Sequence, residues 1–364
     1  MKLINPYPTP AFAFQQYNNR AELLAVITAK ATYEIVDGNS LRFMEEQPDI
    51  ALKDQYTGPE APPAHLVQQA DFIPYKPGTD LTILARSYSP SGKPESSWLT
   101  GIRVGEKEHA LRVYGPRFWE PVEGQHDWEM GEAEPVSHVP LSYYQAFGGL
   151  IPRDDEAAEG LQDCHRYNPL GPGVLLQEHC SSGIRFTAPQ VEAIDDPIID
   201  WCKDYEPKGF APIAPVWRFR EQYTGTYDET WLETRHPFLP PDFDYRFYNC
   251  AHPDLIFTPY LQGDEAIQLV NLHPVHKNIT LTLPALKMEA TATFEDGVSS
   301  SQTLHLDGLH FDLLQKGLPR LCMTWRTTFA WQSGVSEIAL DTTRRVKAER
   351  SIQPTPSAEQ RKLA

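Results

Sequence analysis

Cysteine is scarce and unpatterned in this chain. Its five residues, Cys164, Cys180, Cys202, Cys250 and Cys322, are odd in number and widely spaced, with no C-x-x-C among them. That excludes a legible disulfide framework. Long apolar runs are also missing: the longest, at 23–31, is far short of a membrane span. The first residues carry no apolar stretch followed by a small-residue cleavage site. Together these absences predict a cytoplasmic protein. Basic residues are the minority, 32 Lys and Arg against 49 Asp and Glu, for a net charge of −17. The body of the chain offers no cationic stripe to displace counterions, so nucleic acid and anionic membrane are both disfavoured as partners. Basic proteins or segments remain compatible.

The familiar catalytic signatures are absent too. There is no G-x-S-x-G, no Gly-rich phosphate loop and no G-x-G-x-x-G after a strand. Gly171-Pro172-Gly173 cannot cradle a phosphate, because proline removes an N–H the anion would need.

What the chain does have is proline and β pattern. Its 33 prolines approach twice the usual share of about 5% and are spread along the chain. Ordered but irregular connections follow, rather than a proline-rich linker. With 364 residues, 41% of them hydrophobic, the chain can fill more than one core. Leu23–Val36 reads as a strand ending at the Asp37-Gly38 turn, and residues 81–88 as another. Residues 101–104 and 110–114 flank a short polar loop, as in a hairpin. Toward the C-terminus, apolar and polar residues alternate through 279–283 and 286–294. Alternation resumes from Leu321 to Trp331, with one face buried and one wet. Asp296-Gly297 and Asp307-Gly308 supply hairpin turns, and the whole reads as a β-meander. Ala29-Lys30-Ala31-Thr32-Tyr33 echoes Trp325-Arg326-Thr327-Thr328-Phe329, a strand-borne cation followed by Thr and an aromatic.

Residues 115–265 behave differently. Two capping boxes, Ser142 with Gln145 and Thr226 with Glu229, predict short helices stopped by Gly148-Gly149 and bounded by Pro237. The acidic run at 153–160 reads as a solvated loop, and turn signals fill the rest. The predicted fold class is mainly β: two β-sandwich-like units joined by a long Pro/Gly-rich irregular region with a few short helices. The expected boundaries are an N-terminal β domain at 1–120, a loop-rich middle packed on both units at 121–265, and the meander at 266–341. A flexible basic tail follows at 342–364, holding Arg344, Arg345, Lys347, Arg350, Arg361 and Lys362.

Three chemistries compete for the middle. Asp242, Asp244 and Glu265, near Trp217, Trp231 and Tyr245, could serve a glycoside hydrolase; the same carboxylates could cap turns and pair with Arg246 or Arg220. Cys164-His165 with His179-Cys180, and His273 with His276, could ligate zinc, but adjacent ligands strain that geometry and Pro274 prevents a regular helix at the second pair. The aromatics Trp119, Trp201, Trp217, Trp231, Phe147, Phe210 and Tyr227 could anchor an interface or fill a loop-covered core.

The run Asp71-Phe72-Ile73-Pro74-Tyr75-Lys76-Pro77-Gly78-Thr79-Asp80 resembles a motif of a bacterial domain-of-unknown-function family encoded beside type VI secretion effectors. Similar matches are Val113-Tyr114-Gly115-Pro116-Arg117-Phe118-Trp119, Ala146-Phe147-Gly148-Gly149, and Asn168 through Gly173. A denser series follows: Gly209-Phe210, Trp217, Arg220, Gly225 through Asp228, Trp231, Asp242-Phe243-Asp244, Arg246, Asn249-Cys250-Ala251 and Gly263-Asp264-Glu265. The resemblance covers about residues 10–335; Ala211 and Leu255 depart from it where glycine and glutamine are usual. It implies a chaperone or adaptor that binds and stabilises a toxic effector, through an N-terminal or PAAR-type region, and aids loading on the spike protein. No enzyme activity, cofactor or metal is implied. On this reading Trp217, Arg220, Tyr227, Trp231 and Arg246 contact the partner. Asp71, Lys76, Asp80, Arg117, Trp119, Phe147, Gly148, Gly149, Asp228, Asp242 and Asp244 are scaffold. The alternatives are a carbohydrate-active hydrolase using the paired carboxylates and an exported structural component of the spike.

Overall fold

The computed structural model describes residues 1–57, 64–123, 125, 127–151, 163–177, 180, 183–331 and 333–344. The acidic run at 153–160, His179 and the basic residues from Arg345 onward lie outside the described residues. From the N-terminus come β1 (Lys2–Ile4), β2 (Ala11–Tyr17), β3 (Leu23–Val36), β4 (Ser40–Phe43) and β5 (Thr79–Tyr88). The hairpin of β6 (Ser97–Val104) and β7 (Lys107–Tyr114) follows, then β8 (His138–Leu141) and β9 (Val191–Ala193). Two short helices, α1 (Arg218–Glu221) and α2 (Glu229–Thr234), interrupt the irregular stretch after β9. Next come β10 (Ala266–Val270), β11 (Asn278–Thr282), β12 (Leu286–Phe294) and β13 (Ser299–Thr303). β14 (His305–Asp312), β15 (Arg320–Ala330) and β16 (Val335–Arg344) are the last described strands.

The fold is mainly β, as the alternation predicts, and its strands form several sheets. The largest, of eight strands, runs β8-β5-β14-β15-β3-β2, with β4 beside β3 and Ile256–Phe257 beside β5. A five-stranded sheet runs β9-β7-β6-β10-β11 and a four-stranded one β1-β16-β12-β13. One apolar cluster joins all three. Ile27, Ile83, Phe311 and Trp325 enter it from the large sheet, Trp98, Leu111 and Ile279 from the second, Met288 and Ile338 from the third. Each such side chain, once buried, stabilises by about 1.5–3 kcal/mol.

The pairings correct the expected meander. β12–β13 and β14–β15 are hairpins, but β16 returns to β12, and β15 pairs with β3 from the other end of the chain. Strands of both termini therefore share one sheet. Asp307-Gly308 is not a turn: it lies inside β14, where the register shifts between Leu306 and Gly308. The extra residue of that bulge is Asp307. The expected wet face of β15 is also absent, since Thr324 and Arg326 are buried beside apolar Met323 and Trp325. Of the two capping boxes, the first yields only a 3-10 turn at Tyr143–Gln145. The second gives α2, but its N-cap is Asp228, whose carboxylate accepts from Trp231 N; Thr226 bonds Asp242 instead.

Candidate functional site

Period-two geometry gives the large sheet two unlike faces. Odd-numbered residues of β3, β5 and β15 point into the apolar cluster. Even-numbered ones, with Asp307 from the bulge, place Lys30, Asp80 and Arg326 on the opposite face. Residues 68–76 cover that face and bring Asp71 and Lys76. All six charged side chains are buried.

They pair as three salt bridges, so the layer is neutral. Lys30 Nζ donates to Asp71 Oδ2 at 2.6 Å, and Ala51 N donates to the same oxygen at 2.8 Å. Lys76 Nζ meets Asp80 Oδ2 at 2.7 Å. Arg326 pairs with Asp307, while its Nε donates to Thr28 Oγ1 and its Nη2 to the backbone oxygen of Asp71, both at 3.1 Å. The middle region joins through Asp80, which accepts from Asn249 Nδ2 and Cys250 N at 2.8 Å each. Burial opposes the Lys76 ammonium, but Asp80, Cys250 and Asp307 outweigh it and hold its pKa above the ordinary lysine value. Burial pushes the Asp307 carboxyl up against the pull of Arg326 and Lys76. A cavity of about 50 Å³ adjoins the layer, and a larger one of about 330 Å³ shares Lys30, His310 and Cys322 with it.

A second polar cluster sits beside Phe210. His252 Nδ1 accepts from Asp254 N at 3.2 Å, and Lys208 Nζ bridges Glu206 Oε1 at 2.6 Å and Asp254 Oδ2 at 3.0 Å. His109, held near a pKa of about 4 by burial, places Nδ1 3.8 Å from Asp254 Oδ2. A hydrogen bond with His252, and then Lys208, hold Glu206 at about 2. Ligand atoms of His109, His252 and Asp254 lie within 4.8 Å of one another. The Lys208 ammonium already neutralises the carboxylate side, so an added cation would have to displace it.

The 225–246 segment brings several aromatic side chains to or near the surface. Tyr227 is half exposed, its ring 4.6 Å from that of Trp231, and Trp231 Nε1 donates to Phe238 O at 2.9 Å. Arg246 lies over the Tyr223 ring at 4.4 Å and donates Nε to Asp244 Oδ2 at 2.8 Å. The segment docks on the β2–β3 turn: Asn19 N donates to Tyr245 Oη and Asn19 Nδ2 to Phe243 O, both at 3.1 Å, and Arg235 donates to Asn19 O. Exposed Tyr17 meets Phe238 at 4.9 Å, and exposed Tyr75 meets Tyr245 at 5.6 Å.

Residues 20–326 match the model of a family described as "Uncharacterized protein conserved in bacteria (DUF2169)". The chain belongs to DUF2169. No curated protein and no solved structure matches it. The DUF2169 match spans every charge of the buried layer, from Lys30 to Arg326.

Two of the five residues expected to touch a partner are internal. Trp217 packs edge-on against Tyr143 at 5.1 Å, and Arg220 donates to Phe247 O and Ile213 O at 2.8 Å each. Tyr227, Trp231 and Arg246 share the aromatic surface. Tyr17 and Phe238, which no sequence motif singles out, and Tyr75, quoted only within a family motif, border it as well.

The remaining scaffold residues of this DUF2169 chain have structural partners. Arg117 meets Glu192 at 2.8 Å and stacks on Tyr114, and Trp119 and Phe147 fill a satellite core. Gly148 adopts φ +147°, and a Cβ there would stand 2.1 Å from Asn168 O. That close approach leaves room only for glycine at 148 and seats it on the Asn168 backbone.

The carboxylates of the hydrolase alternative are each engaged. Asp242 accepts two bonds from Thr226, which lower its pKa, Asp244 is lowered by its bond from Arg246, and Glu265 accepts from Gln262 N and Gly263 N. His273 Nδ1 accepts from Val275 N and His276 N, a turn role, and His165 meets Asp204 at 2.8 Å. All five cysteines are free. No helix among the described residues is long and apolar enough to cross a membrane.

Proposed function

We propose that this chain is a chaperone or adaptor for a type VI secretion effector, binding its N-terminal or PAAR-type region and aiding its loading on the spike. The observation that carries the reading is an aromatic surface in which exposed Tyr227 lies beside part-buried Trp231, Phe238 and Tyr245, continuous with exposed Tyr17 on the edge of the large sheet. Aromatic residues and arginine are the types that anchor protein interfaces. The ordered motif series resembles that of proteins encoded beside such effectors, which supplies the client class. A net charge of −17 favours a basic client segment over nucleic acid.

The test is co-expression with the effector encoded beside this chain. The expected result is a soluble complex that co-elutes, and about 30-fold weaker binding for both Tyr227→Ala and Trp231→Ala, the size of an interface hot spot. An effector that never co-elutes and gains no solubility overturns the reading.

A further inference from the structure

The large sheet ends at β2, and among the described residues no strand pairs with its outer edge. Two backbone bonds fix which groups face outward. Lys30 N donates to Pro10 O and Asn18 N to Glu22 O. Bonded and non-bonded pairs alternate along an antiparallel ladder, so Phe12, Phe14 and Gln16 bond to β3. Ala11, Ala13, Gln15 and Tyr17 therefore turn their N–H and C=O groups away from the sheet.

Natural sheets blunt such edges with charges, proline, bulges or brevity. β1 and β9 have three residues each, β8 carries Pro140, and β13 is all hydroxyl and amide side chains. β2 reads AFAFQQY, seven residues with no charge, no proline and an unbroken register. Apolar side chains stand beside it, together with the polar Asn5, Tyr7, Thr9 and Gln47 at its N-terminal end. Half-exposed Phe72 lies against Phe14 at 4.3 Å and Phe12 at 6.1 Å. At the N-terminal end of β2 a groove of about 680 Å³ opens between Phe12, Ile50 and Leu52, and Asp49 is its only charged lining residue. At the other end stands exposed Glu22.

We propose that β2 takes up an extended segment of the client protein as an added strand. Main-chain bonds to Ala11, Ala13, Gln15 and Tyr17 provide the hold. Apolar side chains of the segment pack on Phe72 and in the groove, and a lysine or arginine meets Asp49. A second copy of this chain fits less well, because each copy carries a net charge of −17. The proposal rests on the chaperone reading and names the edge that reading leaves open.

The probe is the complex of the full chain with the co-expressed effector. Amides of Ala11, Ala13, Gln15 and Tyr17 should exchange with deuterium at least ten-fold more slowly in the complex than in the free chain. Ala13→Pro removes an outward donor without breaking a bond to β3 and should weaken binding at least ten-fold. Ser301→Pro, at the corresponding outward position of β13, should leave binding unchanged. The exchange measurement needs no variant, so misfolding of Ala13→Pro leaves the test intact. A complex that forms while those amides exchange as in the free chain overturns this inference and leaves the chaperone reading standing. Protection of the edge in a homodimer of the free chain also overturns it. Failure to form any complex removes the chaperone reading itself.

Discussion

The buried charge layer and the 225–246 surface are built from the same side chains and use them to opposite effect. Lys30, Lys76 and Arg326 meet Asp71, Asp80 and Asp307 where water is excluded, and every cation has a carboxylate within the layer. On the surface, Asp228 and Asp244 cap their own local turns, Asp242 ties back to Thr226, and Arg246 pairs only two residues away, half in water. A buried pair leaves an uncompensated charge when broken, whereas an exposed one is replaced by solvent. Proximity in the chain says nothing about which case applies: Lys76 and Asp80 are four residues apart and completely enclosed.

The sharpest way to break this contrast is Asp80→Ala. It strands the Lys76 ammonium and removes the acceptor for Asn249 and Cys250, and should cost about 3–5 kcal/mol in denaturant unfolding. A cost below about 1 kcal/mol would mean that the layer is hydrated and the distinction false.

Titration gives the next effect. Burial lowers His310, which lines the charge layer, to about 4 from 6.5, and His109 likewise. The unfolded chain therefore binds protons that the fold refuses. The stability this gives is complete above about pH 6.5 and is lost as pH falls toward 4, by up to about 1.4 kcal/mol per pH unit for each histidine. The surface aspartates Asp242 and Asp244, whose pKa values are lowered by their hydrogen bonds, lose their contribution only as pH falls below about 3.8. Unfolding measured from pH 7 to pH 3 should separate the histidine window from the aspartate one, and His310→Gln should reduce the slope of the upper window to the share of His109.

Smaller effects belong to the surface. Asp228→Ala removes the N-cap of α2 and should cost about 1 kcal/mol. Asp244→Ala should change stability by no more than about 1 kcal/mol, with wild-type circular dichroism.

Local pattern was legible and long-range pairing was not. β3 occupies the residues its apolar, β-branched run marks and β12 those its alternation marks, and Asp37-Gly38 closes β3 with both residues at positive φ. The echo between the Lys30 and Arg326 segments carried more than it revealed. These are adjacent strands of one sheet, and both cations converge on Asp71. No local rule brings together residues so far apart. Asp307-Gly308 carries the strongest hairpin dipeptide yet forms a bulge, because a buried arginine needs its carboxylate. Trp217 and Arg220 sit in a loop-rich stretch like Tyr227 and Trp231, and only tertiary packing separates core from surface there. On the surface itself, aromatics were visible in the sequence, but the bare edge beside them depends on which strand ends the sheet.

The pairing of β3 with β15 also dictates an order of events during synthesis. Thr28 and Arg326 bond across 298 residues, and β1 waits longer still for β16. Until the ribosome has delivered β15, the apolar run of β3 has no neighbour on that side, and closing so large a loop is slow. The nascent chain must therefore carry an exposed, sticky strand through most of its translation. A protein proposed to shelter another thus bares a sticky strand of its own while it is being made.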